Sequence, residues 1–195
     1  PVDNDIRKVF VDKTNSFRGV FGMAEDRDPD LCNVHDAFEI TRGINFISDH
    51  GERVKNHRDQ LNPNVIDNVT RGLEYSAADV AWANAEQAKI YNNVMDVFDE
   101  VDLIICPTAS VSPFPHQQWY ASEINGEKMP TYMRWLALAY GLTMATPAIV
   151  SLPLGVDHKG MPFGIQIAGP NGSDRFVLQA AYSLERYLAN NPEAL

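Results

Sequence analysis

Five histidines, two cysteines and several acidic clusters are the first places to look for chemistry in this sequence. His50 and His57 stand seven residues apart, on one face of any helix that runs through both, but a metal site needs three or four convergent ligands. No H-x-x-x-H pair and no Cys/His cluster supplies them. Solvated surface histidines are expected, and no metal ligand is assigned. The run "DRDPD" at 26–30 opens like a calcium loop, yet Leu31 stands where the turn glycine belongs and Ala37 where the bidentate acid belongs. Dinucleotide and P-loop fingerprints are missing, as are a G-x-S-x-G elbow and an S-x-x-K pair. The triplets Asn68-Val69-Thr70 and Asn171-Gly172-Ser173 fit the glycosylation acceptor pattern but carry little meaning without a secretory signal.

Other positions hold more promise. Thr108 follows Pro107 at the end of the short apolar run "VDLIICPT", and pockets in α/β sheets open beyond the carboxyl ends of strands. Its hydroxyl is a candidate substrate contact, with turn capping as the ordinary alternative. Gln166 stands between Ile165 and Ile167, where a buried amide needs a partner or costs roughly 1–3 kcal/mol. Trp82, Trp119 and Trp135 suit packing; Trp119, inside a long polar loop, either lines a ligand site or pins the loop.

The elements that must position these residues follow from periodicity and capping. "PVDNDIRKVFVDKTNSF" places Ile6, Val9, Phe10, Lys13 and Phe17 near one helical face, with Asp3 as its cap. Residues 19–31 read as a connection. A helix is expected from Asn33 to about Lys55, broken at Gly43, and a short one from Pro63 to Gly72. The clearest helix spans Ser76 to Glu100, with Ser76 and Asp79 as a capping box and a stripe of Ala88, Tyr91, Val94, Met95 and Phe98. "VDLIICPT", "PAIVSLPLG" and "FGIQIAG" read as short buried strands, and "TYMRWLALAYGL" as a helix. The Pro-rich stretch 107–130 is too long for a mere connector. Ser173 is expected to cap a last helix whose stripe is Phe176, Val177, Ala180, Ala181, Leu184 and Leu188. The class is α/β, with residues 1–195 as one domain. Three strands make a small sheet for so much helix, so further strands are expected from outside this chain.

Composition narrows the partners. The net charge of −10 repels a nucleic-acid backbone or an anionic membrane surface, and no basic patch offsets it. Cys32 and Cys106 are far apart and lack C-x-x-C spacing, which suits reduced thiols in the cytoplasm. No apolar stretch approaches the roughly 18 residues that a membrane-spanning helix needs. The chain opens at Pro1, as a processed product or an excised piece would.

"VFDEVDLIICPTASVSPFP", "TPAIVSLPLG" and "GMPFGIQIAGPNGSDRFVLQAAYSLE", in that order, resemble the C-terminal portion of the amidase signature family. "EYSAADVAWANAEQAKIY" before the long helix and "PVDNDIRKVF" at the start resemble it as well, so the similarity touches nearly all of this chain and less than half of a complete member. The resemblance implies several helices packed on a few strands of a mixed sheet, in an enzyme that hydrolyses carboxamides to carboxylate and ammonia or amine without a cofactor. It implies a Ser–Ser–Lys catalytic set and a Gly/Ser-rich oxyanion loop. None of Lys8, Lys13, Lys55, Lys89, Lys128 and Lys159 lies near a Ser-Ser or Gly-Gly sequence, so no catalytic residue is assigned and this chain alone is expected to be inactive. Its expected partners are the N-terminal catalytic part, an amide substrate in the complete enzyme, and a second copy of itself.

In the glutamine-hydrolysing branch of the family, a carboxylate in the helix before the P-A motif reads the substrate's α-amino group. An ungapped comparison places Trp135 there, while the family's asparagine and glycine stand as Gly141 and either Met144 or Ala145. Trp135 therefore joins Thr108 as a candidate substrate-binding residue and favours apolar or aromatic amides; a core tryptophan on an apolar helix is the alternative. The competing functions are a non-enzymatic binding or regulatory role, and the amidase-like component of a glutaminyl-tRNA-type amidotransferase.

Overall fold

The Asp3 side chain accepts hydrogen bonds from the backbone N–H groups of Asp5 and Ile6 and so starts α1 (Asn4–Phe17) as its sequence predicts. The computed structural model describes residues 1–146 and 148–192. It continues with α2 (Val34–Asn56), α3 (Pro63–Glu74) and α4 (Ala77–Phe98), then β1 (Ile104–Pro107), β2 (Glu123–Ile124) and β3 (Glu127–Lys128). Next come α5 (Ala137–Thr143), β4 (Ile149–Val156), β5 (Pro162–Ala168) and α6 (Asp174–Asn190). Pro147, at the head of the expected "PAIVSLPLG" strand, lies outside the described residues.

The architecture is α/β, built on a three-stranded sheet in the order β1-β5-β4. Both pairings are antiparallel, so the mixed character implied by the resemblance is not contained in these three strands. The central strand β5 is buried on both faces from Ile165 onward, which explains its unbroken apolar run. On one face Phe163, Ile165 and Ile167 pack with Leu152 and Leu154 of β4, Ile6 and Phe17 of α1, and Val177, Leu184 and Leu188 of α6. Each such side chain contributes about 1.5–3 kcal/mol on burial. The opposite face carries Cys106 and Ser151 on either side of Gln166. A second core joins α2, α4 and α5 through Ala37, Ile40, Ala83, Ile90, Val94 and Tyr140.

Five expectations are corrected. Helix α2 runs unbroken through Gly43, and α3 continues past Gly72, because these two glycines mark a helix crossing. A Cβ on Gly72 would sit 2.4 Å from the Gly43 carbonyl oxygen. The buried face of α4 is Ala83, Glu86, Ile90, Val94 and Val97, while Tyr91 and Ala88 of the expected stripe face outward. An alanine-rich helix offers two nearly equal apolar faces, and the neighbours choose between them. Strand β4, apolar in sequence, alternates buried Leu152 and Leu154 with exposed Ser151 and Pro153, because it lies at a sheet edge. Ser173 occupies the N-cap position of α6, but its hydroxyl donates back to the Pro170 carbonyl instead of capping, and Phe176 is exposed.

The long segment 107–130 is not featureless. The Asn125-Gly126 pair, both with positive φ, turns β2 into β3, an Asn-Gly hairpin signal the sequence reading passed over. Asn125 also anchors that hairpin to the chain start: its side chain accepts from the Asn4 N–H and donates to the Val2 carbonyl.

Candidate substrate-binding wall

The polar face of β5 organises the site. Gln166 is 5% exposed, and its Nε2 donates to the Pro107 carbonyl at 3.2 Å and the Leu138 carbonyl at 2.9 Å. One amide thereby ties the end of β1 to α5. Both carbonyls that accept from it lie within this chain. Cys106, paired across from Gln166, hydrogen-bonds to it, yet burial pushes its thiol up to about 12. A thiol held protonated at neutral pH is no nucleophile.

Thr108 lies one residue beyond β1, its backbone N–H donating to the Gly164 carbonyl at 3.0 Å. Among the described residues its buried Oγ1 has no hydrogen-bond partner, and neither has the buried Ser110 Oγ two residues on. Gly164 opposite leaves room beside that hydroxyl: a Cβ there would lie 3.3 Å from Thr108 Oγ1 and 3.2 Å from the Leu152 carbonyl oxygen. Buried hydroxyls left unpaired cost roughly 1–3 kcal/mol each unless something answers them.

Trp135 sits in the 3-10 turn Arg134–Leu136 that leads into α5, not on the helix itself. Its ring meets Phe114 edge-to-face, with centroids 5.4 Å apart at 75°. Around the pair pack Val111 and Tyr120 with the buried Ala121, Ile124 and Met129, so this tryptophan closes an apolar cluster over the long loop. Its buried Nε1 has no partner among the described residues. Trp119, in contrast, is 56% exposed. Gln166 is the link between the two candidates, joining the strand that ends beside Thr108 to the helix that follows Trp135.

Residues the sequence reading missed lie behind the Trp135 turn. His35 Nδ1 lies 2.6 Å from the Tyr140 hydroxyl, and Tyr140 stacks on Phe38 at 4.1 Å. Burial, with Arg134 nearby, lowers the His35 pKa to about 4, so at neutral pH its ring is uncharged and shares a hydrogen bond with the Tyr140 hydroxyl. The signal available in the sequence was polar residues recurring at 35, 39 and 42, a helical spacing beside the apolar stripe.

The histidine and acidic clusters weighed for metals are used locally. His50 packs against Phe46, His57 follows the last turn of α2, and Asp26 and Asp30 bond to Arg18 and the Cys32 N–H. Among the described residues no three His, Cys, Asp or Glu side chains converge as a metal would require. Both cysteines are free, and no helix among the described residues is long and apolar enough to cross a membrane.

A family model described as Amidase matches residues 46–178. The chain is 28% identical over 162 residues to a glutamyl-tRNA(Gln) amidotransferase subunit from Clostridium acetobutylicum, covering 82% of this chain and 30% of that protein. It is 30% identical over 141 residues to a fatty acid amide hydrolase from Medicago truncatula, covering 65% of this chain and 23% of that one. A bacterial aryl acylamidase of the amidase signature family superposes with a TM-score of 0.83 at 20% identity, covering 95% of this chain and 41% of that structure. The chain thus spans less than a third of these curated relatives and well under half of the solved one. Family match, order of elements and shared fold agree: the chain belongs to the amidase signature family.

Proposed function

We propose that the complete protein is an amidase that hydrolyses apolar or aromatic carboxamides to carboxylate and ammonia or amine, and that residues 1–195 form one unit, its C-terminal part. In this reading the chain supplies sheet and acyl-pocket wall, with Thr108 and Trp135 touching substrate. The Ser–Ser–Lys set implied by the family resemblance comes from the preceding part of the protein and needs no metal or cofactor. A serine hydroxyl attacks only when a neighbouring base takes its proton, and the oxyanion needs preorganised donors. Neither task is assigned to a residue here, so the isolated chain is inactive.

The observation that carries the reading is Trp135 and its apolar surroundings. Where a glutamine-selective relative is expected to present a carboxylate, this chain presents an indole packed on Phe114. An α-ammonium would lose its ion pair there, whereas an aryl or alkyl group gains roughly 1.5–3 kcal/mol of apolar contact. Thr108 Oγ1, buried and unpaired among the described residues, suits a hydrogen bond to the amide or to loop backbone.

The partner proposed is the catalytic part of the same enzyme, in the cytoplasm, with self-association of the complete protein as a further expectation. Strands β1 and β4 are the margins of the sheet, and Leu178 and Tyr182 stand about 60% exposed on α6. Such margins and patches favour a covering partner. The acidic charge argues against nucleic acid or an anionic membrane.

The test is turnover by the complete protein of a primary amide with an aryl-bearing acyl group (3-phenylpropanamide), a small aliphatic amide and glutamine. The reading requires the aryl-acyl amide to have the highest kcat/KM, and requires Trp135→Asp to lower that value while raising activity on glutamine. Preference for glutamine by the parent would favour the amidotransferase alternative, which the similarity to the Clostridium acetobutylicum protein keeps in view. No turnover of any amide would leave a binding or regulatory role.

A further inference from the structure

The polar face of α2 is laid out against the segment that carries Trp135. His35, Asp36, Glu39 and Arg42 recur at helical spacing, and each meets a residue between 131 and 140. Tyr140 meets His35 Nδ1 at 2.6 Å, and Arg134 approaches Asp36 at 3.6 Å. The Thr131 hydroxyl donates to Glu39 Oε1 at 2.8 Å, Arg134 Nη2 donates to the same oxygen at 3.4 Å, and Arg42 Nη2 donates to the Tyr132 hydroxyl at 2.9 Å. Glu39 is the shared acceptor, gripping both ends of the span 131–134, and its side chain is only 16% exposed. Charge-assisted hydrogen bonds of this kind hold geometry better than neutral ones. Trp135 follows Arg134 directly, and its indole must be held in place if the pocket wall is to discriminate between substrates.

We propose that Glu39 is a positioning residue: by clamping Thr131 and Arg134 it fixes the turn that presents Trp135 and so sets selectivity for apolar acyl groups. The inference rests on the amidase reading, with Trp135 in the pocket wall. Asp36, His35 and Arg42 steady the same segment, but none of them bonds two of its residues in the way Glu39 does.

The test uses the complete protein with Trp82→Phe and Trp119→Phe, leaving Trp135 as the reporter within residues 1–195; any tryptophan elsewhere in the complete protein is likewise replaced. In Glu39→Ala, acrylamide quenching of Trp135 rises and its emission shifts to the red; in Glu39→Gln, which keeps an acceptor, the change is smaller. With 3-phenylpropanamide, whose acyl group carries the aryl ring, KM rises about tenfold in Glu39→Ala while kcat stays nearly level, and a small aliphatic amide shows little change. Should Glu39→Ala fail to fold, Thr131→Val and Arg134→Met each remove one arm of the clamp and each must raise quenching part-way. Unchanged quenching overturns the proposal. So does a loss that is equal for both amides. A parent that turns over no amide sinks the amidase reading instead, and the quenching series still decides whether Glu39 holds Trp135.

Discussion

Replacing Gly72 by alanine sets two physical effects against each other. In an isolated helix the change is favourable by about 1 kcal/mol, since alanine is the better helix former. In the folded protein the new Cβ would lie 2.4 Å from the Gly43 carbonyl oxygen, 2.7 Å from its carbon and 3.0 Å from Ile47 Cδ1. Two of those atoms are backbone of a continuous helix and cannot swing aside, so α2 and α3 must separate by roughly 1 Å. Overpacking of this kind costs about 1–3 kcal/mol, and more where backbone must shift. The net expectation is a loss of about 1–2 kcal/mol, which for a chain of this size lowers the Tm by roughly 2–8 °C. Gly51→Ala is the internal control. It lies in α2 with only Ile47 Cγ2 near its would-be Cβ, at 3.7 Å, so it should stabilise by about 0.5–1 kcal/mol. Gly43→Ala, whose closest approach is 3.0 Å to the Gly72 Cα, should fall between them. Thermal and urea denaturation followed by circular dichroism give the order. A Gly72→Ala protein as stable as Gly51→Ala would refute the close crossing.

Three other outcomes are expected. The lowered His35 pKa, caused first by burial, means the fold prefers the neutral ring. That stability is fully present above the unfolded value near 6.5 and is lost as pH falls from there toward about 4. His35→Gln, which keeps a neutral hydrogen-bonding group beside Tyr140, should flatten that part of the urea-midpoint profile, and an unchanged slope would assign it to other groups. Gln166→Leu strands the Pro107 and Leu138 carbonyls, so in the complete protein it should lower the Tm more than it lowers the kcat of the proposed amidase activity; the reverse would recast Gln166 as a site residue. Ser76→Ala removes one arm of the capping box with Asp79 and should cost about 1 kcal/mol of stability, read as a shift in urea midpoint at constant slope.

What could be read directly from the residues was local. Asp3 and the Ser76/Asp79 pair start helices through atoms three residues away or fewer, so a linear reading suffices. β5 could be read for a related reason: a strand buried on both faces is apolar at nearly every position, whatever lies beside it. The family resemblance was carried by such stretches, together with the glycines and prolines between them.

Tertiary structure decided the rest, because the outcome depended on which groups arrive from far along the chain. Gly43 is a helix breaker by propensity and a contact by geometry, and only the arrival of Gly72 distinguishes the two. The buried face of α4 was chosen by its neighbours, with Glu86 turned inward to bond Asn33 and Lys89. Gln166 announced a need for partners, but Pro107 and Leu138 became those partners only when β1 and α5 closed on the polar face of β5. The acceptor role of Glu39 has the same origin, since Thr131 and Arg134 lie more than ninety residues away. Propensity and capping act over a turn of chain, whereas packing and hydrogen-bond satisfaction act across space, and the candidate wall is built from the second kind.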